Sequence, residues 1–213
     1  MSHIADLRKE YQKHFLSEDE VSEDPFYQFG QWFLQATNAF VNEPNAFTLA
    51  TVNHEGIPSA RVLLLKGVDD KGFVFYTNYG SAKSKDMAEN PHVAMVFLWH
   101  ELERQVRIKG TVSKVPREES ELYFHSRPRE SQMGAWVSPQ SKEISSRSVL
   151  DKTMEEVIMR YKDVDVIPLP DYWGGYRVIP NEIEFWQGRP NRLHDRLRYT
   201  NNQTNWKITR LAP

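Results

Sequence analysis

Short apolar runs separated by turn residues recur along the chain, and this pattern limits the fold more than any other feature. Residues 47–52 and 59–65 are strand-like and flank the turn from Asn53 to Gly56, which predicts a hairpin. Similar runs follow at residues 73–76, 92–98, 105–112, 175–179, 183–187 and 206–211. Strands joined mainly by hairpins, with short helices between them, favour a mainly β, α+β fold in which an antiparallel sheet closes into a barrel.

Aromatic residues at helical spacing predict an amphipathic helix in the first fifth of the chain. Phe26, Phe29, Phe33 and Phe40 recur at intervals that suit a helix over residues 25–41. Further helices are predicted at residues 81–89, 118–125 and 146–161. The polar, acidic residues 1–24 are expected to form a mobile arm. Residues 25–213 contain no low-complexity linker and are expected to form a single domain.

Composition excludes several classes of function. A net charge of −2 argues against bulk binding to nucleic acid, and the lack of cysteine excludes disulfides and thiolate chemistry. The seven histidines form no convincing ligand set with nearby carboxylates, so no metal site is predicted. Dinucleotide-binding, phosphate-loop, metalloprotease and nucleophile-elbow motifs are also missing. Without a signal-peptide pattern or an apolar run of membrane length, we expect a cytoplasmic protein that binds no membrane.

Two basic loci lie at the predicted strands. Arg61 and Lys66 bracket an apolar run, where a charge is costly unless it is paired or bound to an anion. An ion pair with an acidic residue is the competing interpretation. Lys83 follows Ser81 at the predicted start of a helix, where free N–H groups, a hydroxyl cap and a lysine would suit a phosphate. Here the alternative is that Ser81 is an ordinary helix cap.

A third locus combines a phenol, a guanidinium and a hydroxyl. Tyr123, Arg127 and Ser131 are spaced by four residues, which would align them on one helical face. Pro128 is expected to end one helix and start another, but in either arrangement the three groups could converge on one anion. Gln140 and Ser141 form a fourth, weaker polar locus in a loop.

The densest basic cluster follows a strand-like segment that ends near Trp186. Arg192, His194 and Arg196 are spaced two apart, so an extended segment would point all three to one face. Such a face requires an anionic ligand or solvent, and a solvated edge strand is the alternative. Together the loci indicate more than one dianionic ligand, with the groups assembled by a barrel or across two subunits.

Eight motifs, in order along nearly the whole chain, resemble the pyridoxine/pyridoxamine 5′-phosphate oxidase family. They are residues 61–66 (RVLLLK), 75–78 (FYTN), 103–106 (ERQV), 123–128 (YFHSRP), 134–138 (GAWVS), 173–175 (WGG), 183–188 (IEFWQG) and 192–196 (RLHDR). The resemblance implies a homodimer of antiparallel split β-barrels, with FMN in clefts between the subunits. It also implies oxidation of pyridoxine 5′-phosphate or pyridoxamine 5′-phosphate to pyridoxal 5′-phosphate, with O2 as electron acceptor and H2O2 as by-product.

The resemblance further implies a role for each matched residue. FMN would contact Arg61, Val62, Leu63, Leu64, Leu65, Lys66, Tyr76, Thr77, Lys83, Gln105, Gln140, Ser141, Trp186 and Arg196. The substrate would contact Arg8, Lys9, Glu10, Tyr11, Lys66, Tyr123, Arg127, Ser131, Arg192, Leu193 and His194. Within these sets Arg61 and Lys83 would hold the FMN phosphate. Arg192 and His194 would be the catalytic pair at the pyridine ring.

One position departs from the family pattern, and two other functions compete with the oxidase. Ala82 stands where the family usually has arginine, which removes one guanidinium from the implied FMN phosphate site. Arg189, outside the matched positions, is expected to be solvated. A split-barrel flavin reductase with another substrate would leave the locus at Tyr123 unexplained. A non-catalytic carrier of FMN or pyridoxal phosphate would not need Arg192 with His194.

Overall fold

The computed structural model describes Ile4 and residues 9–213, which form five α-helices and a nine-stranded sheet. The helices are α1 (Pro25–Asn38), α2 (Ala82–Glu89), α3 (Arg117–Ser126), α4 (Arg129–Val137) and α5 (Arg147–Arg160). The strands are β1 (Ala46–Val52), β2 (Pro58–Leu64), β3 (Gly67–Asp69), β4 (Gly72–Asn78), β5 (His92–Trp99), β6 (Arg104–Lys114), β7 (Trp173–Gln187), β8 (Asp195–Asn201) and β9 (Trp206–Arg210). The mainly β, antiparallel fold expected from the sequence is confirmed.

The predicted hairpin between β1 and β2 is present, with Val52 paired to Pro58. Its turn is stabilised by Asn53, whose side-chain oxygen accepts the N–H groups of Glu55 and Ile57 at 3.0 and 2.9 Å. Gly56 has φ +80°, a backbone conformation that glycine adopts without strain. The sheet then runs in the order β2-β1-β5-β6-β7-β4-β3, and β8 and β9 branch from β7.

Strand β7 corrects the prediction of two separate strands at residues 175–179 and 183–187. It is continuous over fifteen residues and pairs with β4, β6 and β8. The residues that suggested a break, Pro180 and Asn181, lie at a bulge, because the β6 register shifts between Lys109 and Gly110. A Cβ at Gly110 would lie 2.2 Å from the carbonyl oxygen of Ile179, so glycine permits this close approach.

The main core is aromatic and lies between α1 and the concave side of the sheet. Phe29 of α1 packs edge-on against Phe73 and Phe97, with ring centroids 5.0 and 5.1 Å apart. Helix α1 begins at Pro25 because Asp24 accepts the N–H of Phe26 at 2.8 Å and caps it. A smaller cluster joins α3, α4 and α5 to the start of β7; its buried members include Phe124, Met133, Val157 and Trp173.

Two strands were not predicted from the sequence. These are β3, which has only three residues, and β8, whose seven residues (DRLRYTN) include only two large apolar side chains. The predicted helices at residues 25–41, 81–89, 118–125 and 146–161 correspond to α1, α2, α3 and α5. The second helix expected after Pro128 is α4.

Part of the predicted arm lies against the second half of the sheet. The N–H groups of Gln12 and Lys13 are bound by Glu103, and the N–H of Leu16 is bound by Asp195. The arm's mobility and the single-domain assignment stay predictions. None of the helices in the described ranges combines the length and the apolar character needed to cross a membrane.

Candidate active site

A cavity of about 510 Å³ opens between β2, β4 and the helices α3 and α4. It brings together parts of the first, third and fourth predicted loci. The predicted site residues that line it are Val62, Leu63, Leu64, Lys66, Tyr76, Thr77, Tyr123, Arg127, Ser131 and Gln140. We call it the first cavity. Leu65 does not line it, because its side chain is buried in the main core.

The third locus converges, although not on a single helical face as its spacing would suggest. Helix α3 ends at Ser126, and Arg127 is extended with φ −78° and ψ 151°. Helix α4 begins two residues later, so Tyr123 and Ser131 belong to different helices. Pro128 is the physical cause, because its ring cannot continue α3. The resulting corner joins Tyr123, Arg127 and Ser131 at one wall of the first cavity.

Arg127 is the most informative group in this corner. Its Nη2 donates to the carbonyl oxygen of Ser131 at 2.7 Å, and its guanidinium lies 4.7 Å from the ring centroid of Trp173. Its Nη1 is buried and has no hydrogen-bond partner among the described residues. Burial lowers the pKa of Arg127, while Tyr123 opposes that shift. A half-buried guanidinium with one buried, unused donor suits an anionic ligand.

Three nearly parallel aromatic rings form another wall. The rings of Tyr76 and Tyr123 stack at 3.9 Å with 16° between their planes. Trp173 stacks on Tyr76 at 5.6 Å and 11°. Burial raises the pKa of Tyr76 to about 12, so its phenol is neutral at physiological pH. Trp173 was noted in the sequence only as part of a motif, because no spacing links it to Tyr123.

Lys83 is buried, with 7% of its surface exposed, and it bonds neutral oxygens. Its Nζ donates to Gln140 Oε1 at 3.1 Å, to Ser81 Oγ at 3.2 Å and to Thr77 Oγ1 at 3.3 Å. Burial, and then the charge of Arg61, lower the pKa of Lys83. The predicted hydroxyl cap is wrong: Ser81 occupies the N-cap position, but its hydroxyl bonds Ser84 Oγ at 3.1 Å instead of a helix N–H.

Arg61 and Ser141 complete this side of the site. Arg61 donates to Thr51 Oγ1 at 2.7 Å and lies 3.9 Å from Asp86, so the ion pair considered as an alternative is present but long. Ser141 adopts a left-handed backbone with φ +69° in an exposed loop. Ala82 is exposed at the start of α2.

A second cavity of about 650 Å³ lies near the start of β8. Its lining comes from the arm and from the segment before β8: Lys9, Glu10, Tyr11, Arg189, Asn191, Arg192 and His194. Trp186 stands behind it, with its ring 4.6 Å from that of His194 and 5.8 Å from that of Tyr11. Leu193 is exposed, and Arg8 lies outside the described residues.

The extended geometry predicted for Arg192, His194 and Arg196 is wrong. Residues Pro190–Arg192 form a 3-10 turn in which Arg192 has φ +60°, and the strand begins only at Asp195. Pro190 favours that turn over a strand. Arg192 and His194 therefore face the second cavity, whereas Arg196 lies on β8 beside Trp186.

His194 is held in one tautomer by its neighbour. The backbone N–H of Arg189 donates to His194 Nδ1 at 3.1 Å, so the neutral ring carries its proton on Nε2. Burial and then Arg192 lower the pKa of His194, and Asp195 opposes them. Arg189 is more than the solvated charge expected from the sequence: its side chain also bonds the His14 carbonyl at 3.2 Å and pairs with Asp195 at 3.4 Å.

Gln105, Trp186 and Arg196 form one row across three strands. Gln105 of β6 pairs with Trp186 of β7, which pairs with Arg196 of β8. Arg196 is engaged by Glu184, to which it donates at 2.8 and 3.0 Å, and this pair raises its pKa. Among the described residues, no group of three or more histidine or carboxylate side chains is placed to hold a metal ion.

The predicted site residues thus fall into two groups within one chain. The two cavities share no lining residue. The first contains the phosphate-type corner, and the second contains Arg192 and His194 under the arm. A site that uses both groups requires more than one copy of the chain or a large rearrangement.

Comparisons with known proteins agree over the whole chain. A family described as pyridoxamine 5′-phosphate oxidase matches residues 33–161, and a pyridoxine 5′-phosphate oxidase C-terminal dimerisation region matches residues 173–213. A Salinibacter ruber protein named pyridoxine/pyridoxamine 5′-phosphate oxidase is 58% identical, with 100% of both chains covered. A Trichormus variabilis protein of the same name is 57% identical, covering 99% of this chain and 98% of its own.

Solved structures share the fold. The crystal structure of PhzG from Burkholderia lata, in complex with tetrahydrophenazine-1-carboxylic acid, matches with a TM-score of 0.89 and 30% identity, covering 96% of this chain and 100% of that one. A pyridoxamine 5′-phosphate oxidase-related, FMN-binding protein from Nostoc punctiforme matches with a TM-score of 0.71 and 17% identity, covering 91% and 100%. The predicted split-barrel fold is confirmed. The chain belongs to the pyridoxamine 5′-phosphate oxidase family.

Proposed function

We propose that this protein is an FMN-dependent oxidase that converts pyridoxine 5′-phosphate or pyridoxamine 5′-phosphate to pyridoxal 5′-phosphate, with O2 as the electron acceptor. The observation that carries the proposal is Arg127, whose buried Nη1 has no partner in the described part of the chain. An unsatisfied buried donor of this kind costs about 1–3 kcal/mol, which a phosphate oxygen would offset. Lys66, Tyr123 and Ser131 line the same cavity and supply further groups for that phosphate.

The residues around Lys83 fit the phosphate and ribityl chain of FMN. A buried lysine that bonds three neutral oxygens is an incompletely compensated charge, and Arg61 adds a second cation nearby. Thr77 and Gln140 offer a hydroxyl and an amide to the same ligand. With Ala82 in place of arginine, Arg61 and Lys83 carry the cofactor phosphate between them. FMN held there would supply the two-electron acceptor for oxidation at the substrate C4′, and O2, on taking up those two electrons and two protons, would become H2O2.

The proposal includes a homodimer in which each site uses both groups of residues. One copy would supply the first cavity, and its partner would supply Gln105, Trp186, Arg192, His194 and Arg196. The match of residues 173–213 to a dimerisation region supports this arrangement, as does the exposed β2 edge beside the first cavity, where Val62 is 67% exposed. Neither group by itself contains both a phosphate corner and the Arg192–His194 pair.

The chain's own residues bind and orient the substrate. Lys66, Tyr123, Arg127 and Ser131 hold the phosphate, which restrains one end of the molecule. Arg192 would place a permanent positive charge beside the substrate's pyridine ring, and the Nε2–H of His194 can donate one hydrogen bond to an oxygen substituent on that ring. The backbone N–H of Arg189 keeps that proton on Nε2. No side chain is assigned as an obligate base.

Aerobic turnover by FMN-loaded protein tests the proposal. Pyridoxine 5′-phosphate is the substrate, unphosphorylated pyridoxine is the control, and both pyridoxal phosphate and peroxide are measured. We expect both products with the phosphorylated substrate and a far higher KM without the phosphate. Absence of both products would contradict the proposed oxidase activity. It would favour a flavin reductase if a reduced nicotinamide reduces the bound flavin, or a carrier if it does not.

A further inference from the structure

A buried glutamate outside both groups of site residues holds the N-terminal arm. Glu103 is 4% exposed and lies between a 3-10 turn and β6 with a left-handed backbone, φ +55° and ψ 40°. Its Oε2 accepts the backbone N–H groups of Gln12 at 2.9 Å and Lys13 at 3.1 Å. Two N–H groups on one buried carboxylate oxygen are charge-assisted hydrogen bonds, which are about twice as strong as neutral ones.

The same glutamate is tied to the second cavity through its backbone. Its carbonyl oxygen accepts the N–H of Gly188 at 2.8 Å and the side-chain amide of Gln187 at 3.2 Å. Glu103 therefore binds the arm with its side chain and the end of β7 with its main chain. Glu103 thus holds the arm and the end of β7 close together.

Tyr11 packs between the arm and the end of β7, the two segments that Glu103 holds together. It precedes Gln12, and its ring lies over Gly188 so closely that a Cβ there would be 2.7 Å from Tyr11 Cγ. The ring also meets Trp186 at 5.8 Å and His194 at 5.9 Å, both edge-on. Tyr11 thus forms part of the wall of the second cavity and contacts the histidine placed at the substrate ring.

A separate anchor holds the arm three residues further on. The N–H of Leu16 donates to Asp195 Oδ2 at 3.1 Å, and Arg210 binds the Leu16 carbonyl at 3.0 Å together with Glu18. This second anchor would keep residues 16–18 in place if the first were lost. Loss of the Glu103 contacts would then loosen residues 11–13 without detaching the whole arm, although Lys13 Nζ would still bond the Glu101 carbonyl and Arg189 the His14 carbonyl.

We propose that Glu103 is a positioning residue: through the N–H groups of Gln12 and Lys13 it seats Tyr11 against Gly188 and His194, and so completes the substrate wall of the second cavity. The catalytic part of this inference rests on the proposed oxidase function. The anchoring part does not, because it concerns only contacts within the chain.

Glu103→Ala and Glu103→Gln are the paired variants. Alanine removes the acceptor, whereas glutamine keeps an oxygen that can accept both N–H groups without the charge. Gln12→Pro and Gln12→Ala repeat the comparison from the arm, because proline removes one donor and alanine retains it. The two Gln12 variants change no core residue, so the comparison can still be made if Glu103→Ala fails to fold.

Limited trypsin digestion of the FMN-loaded protein measures directly whether Glu103 holds the arm in place. Lys13 is a cleavage site, and the next lysine or arginine in the chain is Arg61, so loss of residues 1–13 gives a single defined product. We expect cleavage after Lys13 to accelerate at least about tenfold in Glu103→Ala and Gln12→Pro, because charged hydrogen bonds are lost. Glu103→Gln should accelerate cleavage less than Glu103→Ala, because its amide oxygen still accepts both N–H groups without the charge, and Gln12→Ala should remain close to the wild type.

Steady-state kinetics then separate positioning from simple support of the fold. The two releasing variants should raise KM for pyridoxine 5′-phosphate about tenfold, with FMN affinity and Tm near wild-type values, and Glu103→Gln should restore KM. Unchanged trypsin cleavage would show that Glu103 does not anchor the arm. Faster cleavage with unchanged KM and kcat overturns the positioning role. If the wild type does not turn over the substrate, the oxidase proposal fails, and the digestion still decides the anchor.

Discussion

At the scale of single residues, the site is defined by charges that the chain leaves incompletely paired. Arg127 has a buried donor without a partner, and Lys83 bonds neutral oxygens alone. By contrast, Arg196 is satisfied by Glu184. Incompletely paired buried cations lower the stability of the free protein, and an anionic ligand would offset that cost. These two residues therefore carry more weight in the functional argument than the sequence cluster at residues 192–196.

Arg127→Ala should weaken substrate binding selectively. Loss of charged hydrogen bonds of about 1.5–3 kcal/mol corresponds to a roughly 10- to 150-fold rise in KM for pyridoxine 5′-phosphate. Arg129→Ala is the matched control, because Arg129 binds the carbonyl oxygens of Tyr161 and Val164 at 2.6 and 2.8 Å and does not line the first cavity. It should lower Tm and leave KM near the wild-type value. Equal KM values for the two variants would contradict the assignment.

His194 should impose an acid limb on kcat/KM. Its pKa lies below the ordinary value of 6.5, chiefly because of burial, so the neutral ring persists to a lower pH than in a free histidine. Protonation at Nδ1 abolishes the acceptor that the Arg189 N–H uses, and kcat/KM should fall as the pH drops through that lowered pKa. A pH profile of the wild type and of His194→Gln measures this. An acid limb that persists unchanged in the glutamine variant would assign it to another group.

At the scale of elements, local chemistry decides what a sequence pattern can reveal. Strands β1, β5 and β6 and helix α1 were predicted, since their buried residues recur at the spacing of a strand or a helix. Strand β3 was missed because it has three residues, and β8 because it has few apolar ones; their pairing depends on β4 and β7. The convergence of Tyr123, Arg127 and Ser131 was anticipated, but Pro128 changed its geometry. Glu103 and Trp173 stood out only as members of matched motifs, and their contacts had no sequence signal because the partners are distant in the chain.

The bulge in β7 should make Gly110 sensitive to any side chain. Gly110→Ala would place a Cβ 2.2 Å from the Ile179 carbonyl oxygen, and the backbone on both sides limits relief. We expect a loss of about 1–3 kcal/mol in the free energy of unfolding, as for other overpacked sites. Gly30→Ala, in α1 with no atom within 4 Å of the new Cβ, should instead stabilise the protein by about 0.5–1 kcal/mol. Urea denaturation measures both; equal effects would refute the bulge constraint.

At the scale of the whole molecule, the two groups of site residues lie at opposite ends of one strand. Trp173, beside Arg127, begins β7, and Trp186, beside His194, is near its end. At about 3.3 Å per residue this corresponds to roughly 40 Å of strand. One chain cannot close that separation while β7 stays paired along its length. Two copies can, if each presents one end to the other.

Mixing two impaired variants should therefore restore activity when it is assayed at a substrate concentration near the wild-type KM. Arg127→Ala damages only the first cavity, and Arg192→Ala with His194→Ala damages only the second. After subunit exchange, about half of the dimers are mixed, and one of their two sites is intact, so about a quarter of the wild-type activity should return. Each variant alone, exchanged with itself, is the control. Failure to recover activity, with mixed dimers verified by mass spectrometry, would show that each site is built from one chain.

The length of β7 also determines how the enzyme responds to dilution. In the proposed arrangement, where each site uses two copies of the chain, the concentration of working sites follows the concentration of dimers. Below the dissociation constant of the dimer, the rate should fall with the square of the total protein concentration instead of in proportion to it. Ligands that contact both copies should lower the apparent dissociation constant of the dimer, so substrate and cofactor would stabilise the dimer. In this arrangement, the separation imposed by the fifteen-residue strand β7 makes the catalytic rate of dilute protein depend on the square of its concentration.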